Sequence, residues 1–212
     1  MKEWLSNFWY HYKVHTIVVI FVIIIAVYTV VELSNRELPD LDIAVAGSDT
    51  LISKNLDQFE SEIENLIQDA NGDDKTICTI NNVVLPGLEE EDTTLNSSFD
   101  LNRLVASVAS GETKLFVVNY DMLEYLKNQY ACQDITDVYE KMNIPHEGQQ
   151  YYYKTSTKNP VLQSLQLTDE SCYVFIRVRN SAIRDNEEQD IQYQNAYRVL
   201  EEIIKNDQQI SE

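Results

Sequence analysis

The residues that catalysis most often uses are sparse in this sequence and form no known catalytic pattern. His146 is the one histidine after residue 36, and a single histidine in a turn-rich stretch is typical of a surface residue. The sequence has no H-E-x-x-H, G-x-S-x-G, G-x-G-x-x-G or G-x-x-x-x-G-K-[ST] pattern. We therefore expect a protein that is not an enzyme, and we expect no cofactor.

Acidic residues offer two candidate cation sites. The segment Asp69-Ala70-Asn71-Gly72-Asp73-Asp74 spaces its oxygen atoms like the start of a calcium loop. However, Asp74 stands where that loop needs glycine, and Ile80 where it needs a bidentate glutamate. Its Asn-Gly pair is instead typical of a helix end. The run from Glu89 to Asp92 is typical of a solvated loop, so we expect no metal site.

The cysteines Cys78, Cys132 and Cys172 are far apart and form no C-x-x-C arrangement. Their low density favours three buried thiols, and one disulfide with one free thiol is the alternative.

The best candidates for binding residues follow two apolar runs that are typical of buried strands, Leu41 to Ala46 and Leu115 to Val118. In open α/β sheets, ligands bind beyond the carboxyl ends of the strands. We therefore predict a ligand-binding rim, with ordinary strand-to-helix turns as the alternative. Its residues are Gly47, Ser48, Asp49, Asn119, Tyr120 and Asp121. The two aspartates favour a cationic or neutral polar ligand.

The elements that position this rim alternate between strands and helices. Further strands are predicted at residues 76–85 and 172–178, and helices at about 53–70, 122–130 and 191–204. Another helix is predicted from a cap at Ser98 or Asp100 to Gly111. Residues 131–170 are less regular, and tyrosines 151–153 are expected to pack partly in the core. This order favours a small, mainly parallel, three-layer α/β domain of about four or five strands. An α+β fold with an antiparallel last strand is the alternative.

A strongly apolar run precedes this domain. From Val14 to Val31 there is no charged residue, and a helix of this length spans about 27 Å, close to the thickness of a bilayer core. Trp4, Phe8, Trp9 and Tyr12 are suited to the membrane interface. We expect a retained anchor, because no small-residue cleavage site follows; a cleaved signal peptide and a core helix are the alternatives.

Charge predicts the orientation of this anchor. Lys2 and Lys13 precede the run, which places the N-terminus in the cytoplasm by the positive-inside rule. After residue 36 there are 13 basic and 33 acidic residues, so nucleic acid is not an expected partner. The predicted organisation is a cytoplasmic aromatic segment (1–13), a transmembrane helix (14–33), a stalk (34–40) and an extracellular acidic domain (41–212).

One segment resembles a known family. From Ala106 to Asp137 the chain reads as a helix ending at Gly111-Glu112, an apolar strand, the turn Asn119-Tyr120-Asp121 and a second helix. This pattern is similar to one lobe of type 2 periplasmic solute-binding proteins, although Lys114 stands where that family tends to have aspartate. The layout also resembles small single-span membrane proteins of low-GC Gram-positive bacteria. The resemblance implies a membrane-tethered single lobe.

These observations lead to one functional prediction and two alternatives. We expect a single-pass membrane protein whose outer domain binds a small ligand or a protein partner without catalysis. The first alternative is an accessory or structural subunit of a membrane complex. The second alternative is an extracytoplasmic enzyme of unfamiliar type.

Overall fold

The computed structural model describes residues 2–34, 38–47, 53–84, 95–129, 131–146, 148–167, 169–179 and 186–211. The chain divides into two compact units, Met1–Leu38 and Pro39–Glu212. The second unit begins inside the predicted stalk, and Asp40 is fully buried in it.

The first unit contains helix α1, Lys2–Ser34. Its stretch Tyr12–Val31 has a mean hydropathy of 2.8 and is not buried, so it is long and apolar enough to cross a membrane. The hydroxyl of Thr16 donates to the Tyr12 carbonyl at 3.0 Å, and that of Thr29 donates to the Ile25 carbonyl at 2.9 Å. Of the predicted interface residues, Trp9 and Tyr12 are exposed. The side chains of Trp4 and Phe8 lie outside the described part of the structure.

The second unit is an α/β domain, as predicted. Its strands are β1 (Leu41–Gly47), β2 (Cys78–Val84), β3 (Leu115–Val118), β4 (Tyr153–Ser156) and β5 (Ser171–Ile176). Its helices are α2 (Ser53–Glu64), α3 (Leu95–Ser110), α4 (Tyr120–Asn128), α5 (Thr136–Lys141) and α6 (Glu187–Ser211). The sheet order is β2-β1-β3-β5-β4. Strand β1 is parallel to β2 and β3, whereas β5 is antiparallel to β3 and β4. The sheet is therefore mixed, with the antiparallel last strand of the alternative prediction.

Alternating side chains give the sheet two buried faces. Ile43 and Val45 on β1 belong to a core with residues of α2, α5 and α6, whereas Ala44 and Ala46 belong to a core with residues of α3 and α4. We call these the α2/α6 face and the α3/α4 face. Burial on both faces explains why the strands read as continuous apolar runs, and it makes three layers.

The helix predicted over residues 53–70 ends earlier, because backbone groups after residue 64 form hydrogen bonds with side chains distant in sequence. Helix α2 ends at Glu64. Beyond it, the Asn195 side chain accepts from the Gln68 N–H at 2.9 Å and donates to the Gln68 carbonyl at 2.7 Å. The Asp40 carboxylate then accepts from the Ala70 N–H at 2.6 Å. Ile67 and Ala70 are still buried although they lie beyond the helix. Their helix-like spacing in the sequence therefore extended the prediction into residues that are not helical.

Four other elements differ from the prediction. Helix α3 begins at Leu95, so Ser98 and Asp100 lie inside its first turns and neither is the cap. The C-terminal strand ends at Ile176, two residues before its predicted end. Strand β4 and helix α5 occupy the region that was read as irregular. Both are short, and in β4 Thr155 alone is buried, which leaves little periodicity to detect.

Candidate functional site at the carboxyl edge of the parallel strands

The order of the first three strands places a crevice between β1 and β3. Helix α2 connects β1 to β2 and contributes Phe59 and Ile63 to the α2/α6 face. Helix α3 connects β2 to β3 past β1 and contributes Leu104 to the opposite face. Connections that leave on opposite faces create a topological switch point, and ligands bind outside the carboxyl ends of the strands there.

A small cavity lies at this switch point. Its volume is about 20 Å³, which is enough for one water-sized group. Valine, alanine and leucine side chains form much of the wall: Val45, Ala46, Val117, Val118 and Leu167. The other lining residues are Gly47, Asn82, Asn119, Asp169 and Cys172. The cavity thus has mainly apolar walls with a few polar residues around it.

Two of the residues predicted from sequence meet at this cavity. The Asn119 N–H donates to the Ala46 carbonyl at 3.2 Å, which joins the ends of β3 and β1. The Asn119 side-chain oxygen caps α4 by accepting from the Met122 N–H at 3.0 Å. The Asn119 Nδ2 lies beside Gly47, 3.8 Å from where a Cβ on that glycine would stand. The predicted juxtaposition of these two strand ends is therefore present.

Asn82 is the polar group of the cavity that the fold does not use. It is half-buried on β2, and its carboxamide makes no hydrogen bond within the described part of the chain. Its neighbour Asn81 behaves differently, because Asn81 donates to Asp42 at 2.8 Å and accepts from Arg103 at 2.8 Å. A half-buried carboxamide without a protein partner is available to a ligand.

Asp169, an exposed residue, is the one charged residue among the described residues that line the cavity. Its backbone carbonyl accepts from the Thr157 hydroxyl at 2.5 Å, and the Thr157 N–H donates to the Glu170 carbonyl at 3.3 Å. These bonds fix the segment before β5 against the end of β4. Burial, with the negative charges of Asp207 and Asp169, raises the pKa of the Cys172 thiol to about 12. Cys172 is therefore a neutral, weakly nucleophilic wall of the cavity at neutral pH.

The other predicted rim residues do not line this cavity. Tyr120 is exposed, donates its hydroxyl to Glu124 at 2.9 Å and lies against Tyr173, with ring centroids 5.8 Å apart. Asp121 is exposed in the first turn of α4, where the helix dipole stabilises a carboxylate. Ser48 and Asp49 lie outside the described residues.

Two of the remaining sequence candidates, Asp69 and His146, have structural roles, and Glu89 to Asp92 lie outside the described residues. The Asp69 carboxylate accepts backbone N–H groups of its own loop, including Gly72 at 2.7 Å and Asp74 at 2.8 Å. Desolvation acts to raise the pKa of Asp69, but the backbone donors together hold it below its usual value. His146 stacks on Tyr139 with ring centroids 5.5 Å apart. Within the described residues there is no cluster of side chains suited to a metal ion.

The three cysteines are free thiols. Cys78 and Cys172 are buried and Cys132 is half-buried. Burial raises the pKa of Cys132 to about 12 and that of Cys78 further still. The expectation of three thiols holds, although Cys132 is less enclosed than expected.

Sequence reasoning missed Asn82, Asp169 and Cys172. The paired asparagines 81 and 82 carried a usable signal, because two carboxamides interrupt a run of β-branched residues in a strand. For Asp169 the sequence carries no such signal, since its place depends on the pairing of β4 with β5.

No protein-family model matches the chain, and no curated protein matches it. A solved structure of a TRAP periplasmic solute-binding protein from Ochrobactrum anthropi, with its C-terminus bound in the ligand-binding pocket, is similar at a TM-score of 0.33 and 10% identity. The similarity covers 82% of this chain and 80% of that protein. A similarity of this degree decides nothing about the fold, the family or the ligand.

Proposed function

We propose that this protein is a single-pass membrane protein whose outer α/β domain binds a small ligand at the crevice between β1 and β3, without catalysis. The observation that carries this proposal is the cavity at the switch point. It combines apolar walls with the carboxamide of Asn82, which the described fold leaves unpaired. A bound ligand would supply the hydrogen-bond partner that the described fold does not.

The chemistry of the cavity supports a binding role over a catalytic one. Its thiol, Cys172, has a raised pKa and is a poor nucleophile at neutral pH. His146, the one histidine outside the N-terminal segment, stacks on Tyr139 and is not among the lining residues. A nucleophile with an adjacent base, which covalent catalysis requires, is not found among the cavity's described residues.

A ligand screen tests the binding proposal. The full chain in mild detergent is heated in the presence of amino acids, sugars, short peptides, amines, organic acids and cations. We expect at least one class to raise the melting temperature, because a ligand that binds only the folded state stabilises it. The Asn82→Leu variant, which fills the cavity with an apolar side chain, should lose that rise. Silence across the whole panel would reject the proposal.

The membrane arrangement rests on α1. The helix is apolar and unburied over Tyr12–Val31, and its two threonine hydroxyls bond to its own carbonyls, so neither of these two groups would be unpaired in the bilayer core. Lysines on the N-terminal side indicate that this end is cytoplasmic.

Labelling of intact cells tests this topology. A tag placed after Glu212 should react with an antibody before permeabilisation, whereas a tag before Met1 should react only afterwards. The mass of the membrane-bound protein should retain residues 1–34. A mature protein that lacks them would show a cleaved signal peptide in place of an anchor.

A further inference from the structure

The cavity at the switch point also restricts the chemical class of the ligand. We propose that the ligand is a primary alkylamine whose ammonium group occupies the cavity. This inference rests on the proposed ligand-binding function and adds the class of ligand to it.

Size is the first restriction. About 20 Å³ accommodates a single water-sized group. An ammonium, hydroxyl or methyl group fits this description, whereas a carboxylate or phosphate, with several heavy atoms, does not. Because Val45, Val117 and Leu167 form part of the wall, the carbon chain behind that group has apolar surface to contact.

Charge is the second restriction. Among the described residues that line the cavity, Asp169 is the one charged side chain. The cavity therefore has a negative charge beside it, within a chain whose formal net charge is −19. A cation is attracted to such a site and an anion is repelled. This selects ammonium over carboxylate.

Hydrogen bonding is the third restriction. An ammonium group has three donors and no acceptor. Asn82 and Asp169 both line the cavity, and their side chains carry a carboxamide oxygen and a carboxylate, which accept hydrogen bonds. A methyl group in the same place would leave Asn82 unpaired, and a hydroxyl group has one donor for the two acceptors. The Asn119 Nδ2, a donor, lies beside Gly47. The acceptors thus match an ammonium group best.

Three ligands that differ only in their head group test the proposal. The full chain in mild detergent is titrated at pH 7 with butylamine, 1-butanol and butyrate, each at ionic strength matched with sodium chloride. We expect butylamine to raise the melting temperature in a saturable way, 1-butanol to do so less and butyrate not at all.

Matched variants locate the effect. Asp169→Asn should weaken butylamine binding about tenfold, the value of one charge-assisted hydrogen bond. Glu170→Gln removes the same charge one residue away, at an exposed side chain that does not line the cavity, and should leave the affinity unchanged. Asn82→Asp adds a carboxylate to the cavity with almost no change of shape and should tighten butylamine binding. If Asn82→Asp does not fold, the difference in butylamine affinity between Asp169→Asn and Glu170→Gln tests the proposal.

The outcomes separate the two proposals. Equal weakening by Asp169→Asn and Glu170→Gln would show general attraction to an acidic surface and overturn the ammonium site. If butanol, butyrate or another panel compound binds in an Asn82-dependent way and butylamine does not, the ligand class is wrong and the binding function stands. If nothing in either set binds, both proposals fail.

Discussion

The two edges of the central sheet differ in how completely their polar side chains are paired. At the amino edge, buried polar residues are bound to the rest of the domain; this group comprises Asp40, Lys114, Arg177 and Asn195. The Asp40 carboxylate accepts from Ala70 and Ile77, and the Asn195 amide donates to the Asp40 carbonyl at 3.2 Å. At the carboxyl edge, the Asn82 carboxamide has no partner in the described part of the chain.

The buried cations at the amino edge show how complete this pairing is. The Lys114 ammonium donates to the carbonyls of Gly111 and Glu112, and the Arg177 Nε donates to the Val108 carbonyl at 2.6 Å. These carbonyls belong to the C-terminal end of α3 or follow it, where cations are favoured by the helix dipole. Lys114 therefore has a structural role. The comparison teaches that the buried polar groups of the amino edge serve stability, whereas the half-buried Asn82 at the carboxyl edge is available for binding.

The largest expected effect is the loss of the Asp40 carboxylate. Asp40→Ala leaves the N–H groups of Ala70 and Ile77, now bonded at 2.6 Å and 2.7 Å, without their acceptor. Each unpaired buried group costs about 1–3 kcal/mol, so the free energy of unfolding should fall by about 3 kcal/mol or more. Chemical denaturation of the full chain measures this. The exposed Asp57→Ala change should cost no more than about 0.5 kcal/mol. A loss of similar size in both variants would contradict the special role of Asp40.

A smaller, pH-dependent effect is expected at Lys114. Burial, and then the positive charge of Arg177, lowers the pKa of Lys114 to about 8 from its usual 10.5. Between these values the unfolded chain holds more protons than the folded one, so the contribution of Lys114 to stability rises with pH. Below about pH 8 both states are protonated, and the cost of burying the charge is present in full.

The measurement is a difference between variants, because the buried thiols also ionise at alkaline pH. From pH 7 to pH 10 the wild type should gain stability relative to Lys114→Met. The same comparison with Lys127→Met, at an exposed lysine, should show no such trend. A flat difference for Lys114→Met would contradict a lowered pKa.

Two glycines on opposite edges give the next comparison. Gly111 ends α3 with a φ of 79°, a conformation that costs alanine about 1 kcal/mol. A Cβ on Gly47 would meet Asn119 at an ordinary 3.8 Å. We expect Gly111→Ala to destabilise the domain by about 1 kcal/mol and Gly47→Ala to change stability by less than about 0.5 kcal/mol, as judged by thermal unfolding. A larger loss of stability in Gly47→Ala than in Gly111→Ala would contradict the structural role assigned to the amino edge.

The smallest effect on stability is expected at the cavity itself. Asn82→Leu removes no described hydrogen bond and places an apolar group among apolar walls. The free energy of unfolding without ligand should change by no more than about 0.5 kcal/mol. A large loss would show that Asn82 belongs to the structure, like the residues of the amino edge.

Local patterns allowed much of the fold to be predicted, and contacts distant in sequence account for the rest. Strands β1 and β3 are continuous apolar runs, and Gly47 and Asn119 follow directly from where those runs end. The end of α2 was missed because Asn195, far along the chain, binds Gln68. Asp169 was missed because its position follows from the register of β4 and β5, which no local pattern reveals.

The most direct test of the contrast between the two edges combines stability and binding in two variants. Melting curves of Gly111→Ala and Asn82→Leu are recorded with and without the ligand that stabilises the wild type. We predict that Gly111→Ala melts at a lower temperature yet keeps the wild-type affinity. We predict that Asn82→Leu melts like the wild type without ligand and gains nothing when ligand is added. Full ligand-dependent stabilisation of Asn82→Leu would contradict the assignment of the binding site to the carboxyl edge.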